Sequence, residues 1–250
     1  MSGHSKWAQI KRQKGVADAR RGQLFTKLGR EIMVAVRQGG PDPEANFRLR
    51  LAVQRARDAN MPSETIERGI KRASGQGQEG VELVEPTYEG YGPGGAAVLV
   101  QALTDNRNRT VADVRAAFTR AGGSLGEAGS VAWLFDQRGA ISVSGAAQRL
   151  EELALVAIDA GAEDFRIDGD TMEVYTQPSD LERVRQALLD ASGQVENADV
   201  AMVPKTTVPL NEKDAIGCLK LLDKLEDLDD VQHVYSNAEI PDSVLAAYSA

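Results

Sequence analysis

The sequence predicts an α+β protein: an N-terminal three-helix domain, then two ferredoxin-like α/β domains, one inserted in the other. Three observations carry this expectation. Up to about residue 73 apolar residues recur at helical spacing, and beyond residue 86 the pattern changes to short strands alternating with helices. Charge divides at the same place. Residues 1–75 hold 16 Lys and Arg against 7 Asp and Glu, a net +9, whereas the remainder holds 13 against 30, a net −17, within an overall charge of −8. Thirdly, the segments between residues 137 and 203 spell βαββαβ, the ferredoxin-like unit. The expected boundaries are 1–78 for the basic helical domain, 79–136 with 204–250 for the split α/β domain, and 137–203 for the insertion.

In chain order, the first notable stretch is Gly3-His4-Ser5-Lys6-Trp7-Ala8-Gln9-Ile10-Lys11-Arg12-Gln13-Lys14, four cations in nine residues around one tryptophan. A core cannot hold that density of unpaired charge, so the run belongs on the surface. Cations beside a flat aromatic suit a polyphosphate with stackable bases. Taken alone, the run reads equally as a solvated tail with Trp7 tucked against the nearest helix.

Residues 16–38 follow as a helix with Leu24, Phe25, Leu28, Ile32 and Val36 on one stripe and Arg20, Lys27, Arg30 and Arg37 opposite. Gly39-Gly40 stops it. Asp42 is then the expected N-cap of a helix from Pro43 to about Asn60, and Pro62 opens a third, with Ile66 and Ile70 inward. Gly75-Gln-Gly77-Gln-Glu-Gly80 has the letters of a dinucleotide-binding loop, but follows a helix and opens none, so it reads as a linker.

In the split domain, strands are expected at Thr87–Tyr91 and Ala96–Thr104, a helix at Arg109–Ala121 capped by Asn108, and a strand around Val131–Phe135. The inserted unit comprises a strand at Ala140–Ser144, helix Ala146–Ala160, strands Asp164–Ile167 and Met172–Thr176, helix Asp180–Ser192 and strand Asp199–Val203. The split domain then closes with strand Thr206–Pro209, helix Glu212–Leu225 and strand Gln232–Ser236.

Catalytic chemistry is poorly supplied. Two histidines (His4, His233) and one cysteine (Cys218) leave no His/Cys metal site and no disulfide, and Cys218 reads as a small core residue. No P-loop, HExxH or nucleophile elbow occurs. The acids Glu226, Asp227, Asp229 and Asp230 read as a solvated face at a helix end. No apolar run approaches the roughly 18 residues of a membrane span, and no signal-peptide h-region opens the chain. The expectation is a cytoplasmic, non-enzymatic protein with neither metal nor cofactor, its oligomeric state open and a monomer favoured. Asp105-Asn106-Arg107-Asn108-Arg109-Thr110, between a strand and a helix start, is a second candidate anion contact; pairing of its arginines with Asp105 and Asp113 is the competing reading.

Together with Gly3 to Lys14, the segments Phe25-Thr-Lys-Leu-Gly-Arg-Glu-Ile32, Gly39-Gly40-Pro-Asp-Pro43, Asn60-Met-Pro62, Tyr88-Glu-Gly-Tyr-Gly-Pro-Gly-Gly95 and Thr104 to Thr110 closely resemble the YebC/PmpR family along the whole chain. The resemblance implies a three-domain fold, no catalytic residues, and a DNA-binding transcriptional regulator. It also implies, as the alternative described for other members, a ribosome-associated translation factor binding ribosomal RNA or tRNA and relieving stalling at proline-rich stretches. Gly69 stands where a helix former is expected. From charge and position, Lys6, Lys11, Arg12, Lys14, Lys27 and Arg30 are the candidate phosphate contacts, Trp7 the stacking residue, and Arg107 and Arg109 a second contact. The expected partner is nucleic acid, DNA or ribosomal RNA, and no membrane.

Overall fold

A computed structural model describes residues 18–75 and 83–249. Helices α1 (Asp18–Gly39), α2 (Phe47–Asp58) and α3 (Ser63–Ala73) come first. Leu28, Ile32, Ala35 and Val36 of α1 meet Leu49, Ala52, Val53 and Ala56 of α2, with Met61 and Ile66 completing the core. The expected apolar stripe of α1 is therefore the buried one.

Helix α2 starts later than expected, because Asn46 and not Asp42 caps it. Asn46 Oδ1 accepts the Leu49 N–H at 3.0 Å, and its amide nitrogen donates to the carbonyls of Ala35 (2.7 Å) and Gly40 (2.8 Å). An aspartate could make only the first of these bonds; the amide also satisfies carbonyls at the end of α1. Asp42 closes a local turn by accepting the Glu44 N–H.

Gly69 faces α1, and a methyl there would lie 3.8 Å from Ile32 Cγ2, ordinary contact. Gly69→Ala should therefore raise stability by about 0.5–1 kcal/mol, through helix propensity alone. A midpoint shift toward higher urea at unchanged slope is the expected readout, and a loss of stability would contradict this placement.

Beyond residue 83 the order is β1 (Thr87–Tyr91), β2 (Ala97–Ala102), α4 (Arg107–Arg120), β3 (Ser124–Leu125), β4 (Phe135–Ser144), α5 (Ala147–Asp159), β5 (Asp164–Asp168), β6 (Thr171–Thr176), α6 (Leu181–Asp190), β7 (Gln194–Pro204), β8 (Val208–Pro209), α7 (Glu212–Glu226), β9 (Val231–Ser236), β10 (Ala238–Glu239) and α8 (Asp242–Ser249). Two four-stranded antiparallel sheets result, ordered β3-β1-β2-β9 and β5-β6-β4-β7, with β8 and β10 as a separate parallel pair.

The second sheet has the ferredoxin-like order, and its domain is inserted in the first. The chain divides into two compact units, Trp133–Thr206 and the rest. In the first, Ile141, Val143, Leu150, Leu153, Met172, Val174, Leu181, Val184 and Leu188 are buried. In the second, β2, β9, α4 and α7 share a core of Val98, Val100, Val114, Phe118, Leu219, Leu222, Val231 and Val234.

Three expected elements are corrected. The segment around Val131–Phe135 is not a strand of the split domain: Ala132–Leu134 is a 3-10 turn, and Phe135 begins β4. The polar residues Gln137 and Arg138 masked the continuity of β4, which is paired with β7 from Phe135 to Ser144 and needs no apolar alternation to persist. The third strand of the split sheet is instead the short β3. Lastly, β8 pairs with β10 and not with the four-stranded sheet.

Candidate nucleic-acid interface

Of the candidate contacts, Lys6, Trp7, Lys11, Arg12 and Lys14 lie outside the described residues. The others are placed, and Lys27, Arg30 and Arg109 have intramolecular partners.

Positions 23, 27 and 30 of α1 share one flank of the helix. Gln23 Nε2 donates to Asp227 O (2.7 Å) and Asp229 Oδ1 (2.8 Å), Lys27 Nζ to Glu226 O (2.6 Å), and Arg30 Nη1 to Asp229 O (3.0 Å) and Asp230 Oδ1 (3.1 Å). The acceptors lie at the C-terminal end of α7 and in the loop after it. Last-turn carbonyls lack intrahelical donors, and the helix dipole places negative potential there. The basic flank of α1 thus complements both the loop's carboxylates and the end of α7, and the acidic run read as a solvated face is in part a docking surface.

Asp230 is the centre of this contact. Its carboxylate, 8% exposed, receives Arg30 on Oδ1. Oδ2 receives the hydroxyls of Thr104 (3.1 Å) and Thr110 (2.9 Å) and the Arg109 guanidinium through Nε (3.2 Å) and Nη2 (2.8 Å). Burial alone would push the Asp230 carboxyl up; the hydrogen bonds from Arg109, Thr110 and Thr104 outweigh it and hold it below its ordinary value. Arg109 also reaches Asp105 at 2.8 Å, as the competing reading of the Asp105–Thr110 stretch had it, but its main partner is more than a hundred residues away.

Helix α4 begins at Arg107, capped by Asn106 and not by Asn108: Asn106 Oδ1 accepts the Arg109 N–H at 3.1 Å. Its first turn contains no acid, and Arg107 is exposed there.

A second polar seam joins α1 and α2 to β9. Glu31, 10% exposed at its side chain, accepts from Arg55 Nη2 at 2.6 Å and lies 3.4 Å from His233 Nε2. Burial pushes the Glu31 carboxyl up, but the Arg55 charge and the His233 and Arg55 hydrogen bonds win, and its pKa falls to about 2. At the far end of α1, Arg48 and Gln38 both bond the Glu85 carboxylate.

Elsewhere, Glu89 of β1 accepts the backbone N–H groups of Gly129, Val131 and Ala132, each at 2.7 Å, so a buried carboxylate shapes the turn after β3. Cys218 is fully buried and its thiol is pushed up to about 12 by burial, the profile of a core residue. Among the described residues no group of three or more His, Cys, Asp or Glu could hold a metal ion. None is a helix long and apolar enough to cross a membrane.

Glu31 and Glu89 were not singled out in the sequence, and the paired roles of Asp230, read there as part of a solvated face, and His233 were not foreseen. The only linear hint is Glu31 itself, a charge set between the apolar Leu28 and Ile32 of an amphipathic helix. A carboxylate there needs a partner from elsewhere in the fold.

Comparison with known proteins adds the lineage. The family model described as the TACO1/YebC protein N-terminal domain matches residues 5–76, and that described as the TACO1/YebC second and third domain matches residues 83–238. A protein of Dehalococcoides mccartyi strain CBDB1, named a probable transcriptional regulatory protein, is 56% identical over 248 residues, covering 99% of this chain and 98% of its own. A Roseiflexus castenholzii protein with the same name is 57% identical over 244 residues, 96% of each chain. The crystal structure of a conserved hypothetical protein from Aquifex aeolicus superposes with a TM-score of 0.81 at 48% identity, covering 90% of this chain and 93% of that one. With both models matched in order and relatives more than half identical end to end, this chain belongs to the TACO1/YebC family.

Proposed function

We propose that this protein is a non-enzymatic, nucleic-acid-binding regulator of gene expression, in the first place a DNA-binding transcriptional regulator of the kind its relatives' names describe. The observation that carries the reading is the segregation of charge: a +9 N-terminal segment carrying Lys6, Lys11, Arg12 and Lys14 around Trp7, on a chain otherwise at −17. Arg107, exposed on an acid-free helix start, supports a second contact. Lys27, Arg30 and Arg109 add positive potential, but their donors are already engaged. On this reading the protein acts in the cytoplasm, without cofactor.

A second reading, a translation factor contacting ribosomal RNA or tRNA, is favoured by one observation. Duplex readers present a helix whose side chains reach base edges. The polar side chains that α1 could offer are Gln23, Arg30, Arg37 and Gln38, and these are engaged within the chain, Gln23 and Arg30 with the 226–230 loop and Gln38 with Glu85. Unpaired RNA needs no such helix and gives Trp7 a base to stack on.

Replacing Lys6, Lys11, Arg12 and Lys14 together by Ala should weaken binding and lower the log–log salt slope by about 0.7–0.9 per lost phosphate contact. An unchanged slope would return the run to a solvated tail. Trp7→Ala should weaken binding to single strands by about 1–3 kcal/mol at nearly constant slope. The two readings separate in a deletion strain carrying reporters that differ only in an encoded proline run. Lost protein at constant messenger supports the ribosome; altered messenger without a proline effect, with sequence-selective duplex binding, supports transcription.

A further inference from the structure

The inserted unit carries a surface that nucleic-acid binding does not use. Residues 133–206 hold 14 Asp and Glu against 6 Lys and Arg, a net −8. Five large apolar side chains are exposed on this acidic unit, Trp133 and Leu189 apart from the three on α5 and β5: Leu155 (69%), Ile158 (42%) and Phe165 (37%).

Their common location follows from the helix geometry. Helix α5 buries Leu150, Leu153, Ala154 and Ala157. Arg149 leaves one side of that stripe and donates to the Ala191 carbonyl, just past the end of α6. At 100° per residue Ile158 falls opposite Arg149, with Leu155 beside it toward solvent, on the flank away from α6. That flank borders β5, against which α5 packs. Phe165 of β5 is in register with the buried Val174, on the sheet face opposite the Glu173–Tyr175 pair. By this geometry the three side chains share the β5 edge of the sheet as one apolar ledge, beside the exposed acids Glu151 and Asp159 of α5.

We infer that this ledge is a docking surface for a basic amphipathic helix of another protein, whose apolar face covers Leu155, Ile158 and Phe165 while its lysines or arginines meet the acidic rim. Scattered exposed apolar residues need no explanation; a leucine, an isoleucine and a phenylalanine in one patch, flanked by one sign of charge, specify a partner's chemistry. Nucleic acid is repelled by this unit, and a second copy would bring −8 against −8. Strand addition is discouraged because the Asp164 carboxylate accepts the Phe165 N–H at 2.9 Å and so blunts the open edge of β5. A helix docks through side chains alone.

The test uses the full-length chain and three synthetic helices: leucine with lysine, leucine with glutamate, and the lysine helix with serine for leucine. Anisotropy gives the affinity and amide shifts give the location. The leucine–lysine helix should bind, weaken with salt, and shift resonances within residues 147–168; the other two should not bind. Leu155→Ser, on the most exposed of the three, leaves the fold intact and should weaken binding by about tenfold or more, as should Phe165→Ser. Equal affinity for both charged helices, shifts confined to residues 212–230, or unchanged binding by Leu155→Ser would overturn the inference. Self-association abolished by the same substitutions would make a second copy the occupant, and overturn it too.

Discussion

Glu31→Gln is expected to lower stability at neutral pH by about 3 kcal/mol. The carboxyl is drawn from its ordinary value of 4.5 down to about 2, and each unit corresponds to about 1.4 kcal/mol of preference for the charged form in the folded state. Because the folded value is depressed, the contribution is complete above the ordinary value and is lost as pH falls from about 5 to 2. The variant and the native chain should therefore differ most at pH 7 and converge near pH 2. Hydrogen exchange of α1 and α2 amides at several pH values measures this; a cost that stays constant from pH 7 to pH 3 would refute it. Arg55→Met alone should be as damaging, since it strands a buried carboxylate, whereas pairing it with Glu31→Leu should recover much of the loss.

Asp230→Ala should cost about 1.5–3 kcal/mol, because it removes a charged acceptor from the buried Thr104 and Thr110 hydroxyls while Arg30 and Arg109 keep access to water. Two hydroxyls and two guanidinium groups converge on this carboxylate, and all four would lose their anion. The neighbouring Asp229→Ala is the control. Its side chain accepts from Gln23 on the exposed flank of α1, so its cost should stay below about 1 kcal/mol. Urea unfolding of both variants distinguishes a network centred on Asp230 from a diffuse attraction between a basic helix and an acidic loop. Equal losses would favour the diffuse attraction.

What the sequence revealed and what it hid divide along a physical line. Elements governed by local period were legible: the Leu28–Ile32–Val36 stripe, the βαββαβ run and the burial of Cys218 need only neighbours in sequence. Boundaries were less so, because several residues could make the same cap. Asp42 and Asn108 are as good in isolation as Asn46 and Asn106, and a tertiary demand, such as two carbonyls awaiting the Asn46 amide, chose between them. The polar seams were not legible at all. Lys27 and Arg30 looked like phosphate contacts because nothing in the sequence reveals that acceptors some two hundred residues later lie beside them. The same remoteness hid the Arg55–Glu31–His233 cluster. The basic run from Lys6 to Lys14 remains a reading from sequence and charge.

The pairing of Phe135 with Pro204 has a consequence for folding order. These residues are the first of β4 and the last of β7, so the inserted unit begins and ends at one register pair. Before the insertion folds, bringing Ala132 and Thr207 together confines a long loop, at an entropic cost of about 4 kcal/mol by the (3/2)RT ln n rule. Once β4 and β7 have zipped, that cost has been met by contacts internal to the insertion. To the surrounding sheet the whole segment then behaves as a short bridge of about six residues closed at the Phe135–Pro204 pair. Folding of the middle first would thus lower the entropic cost of pairing β2 with β9, more than a hundred residues apart in sequence.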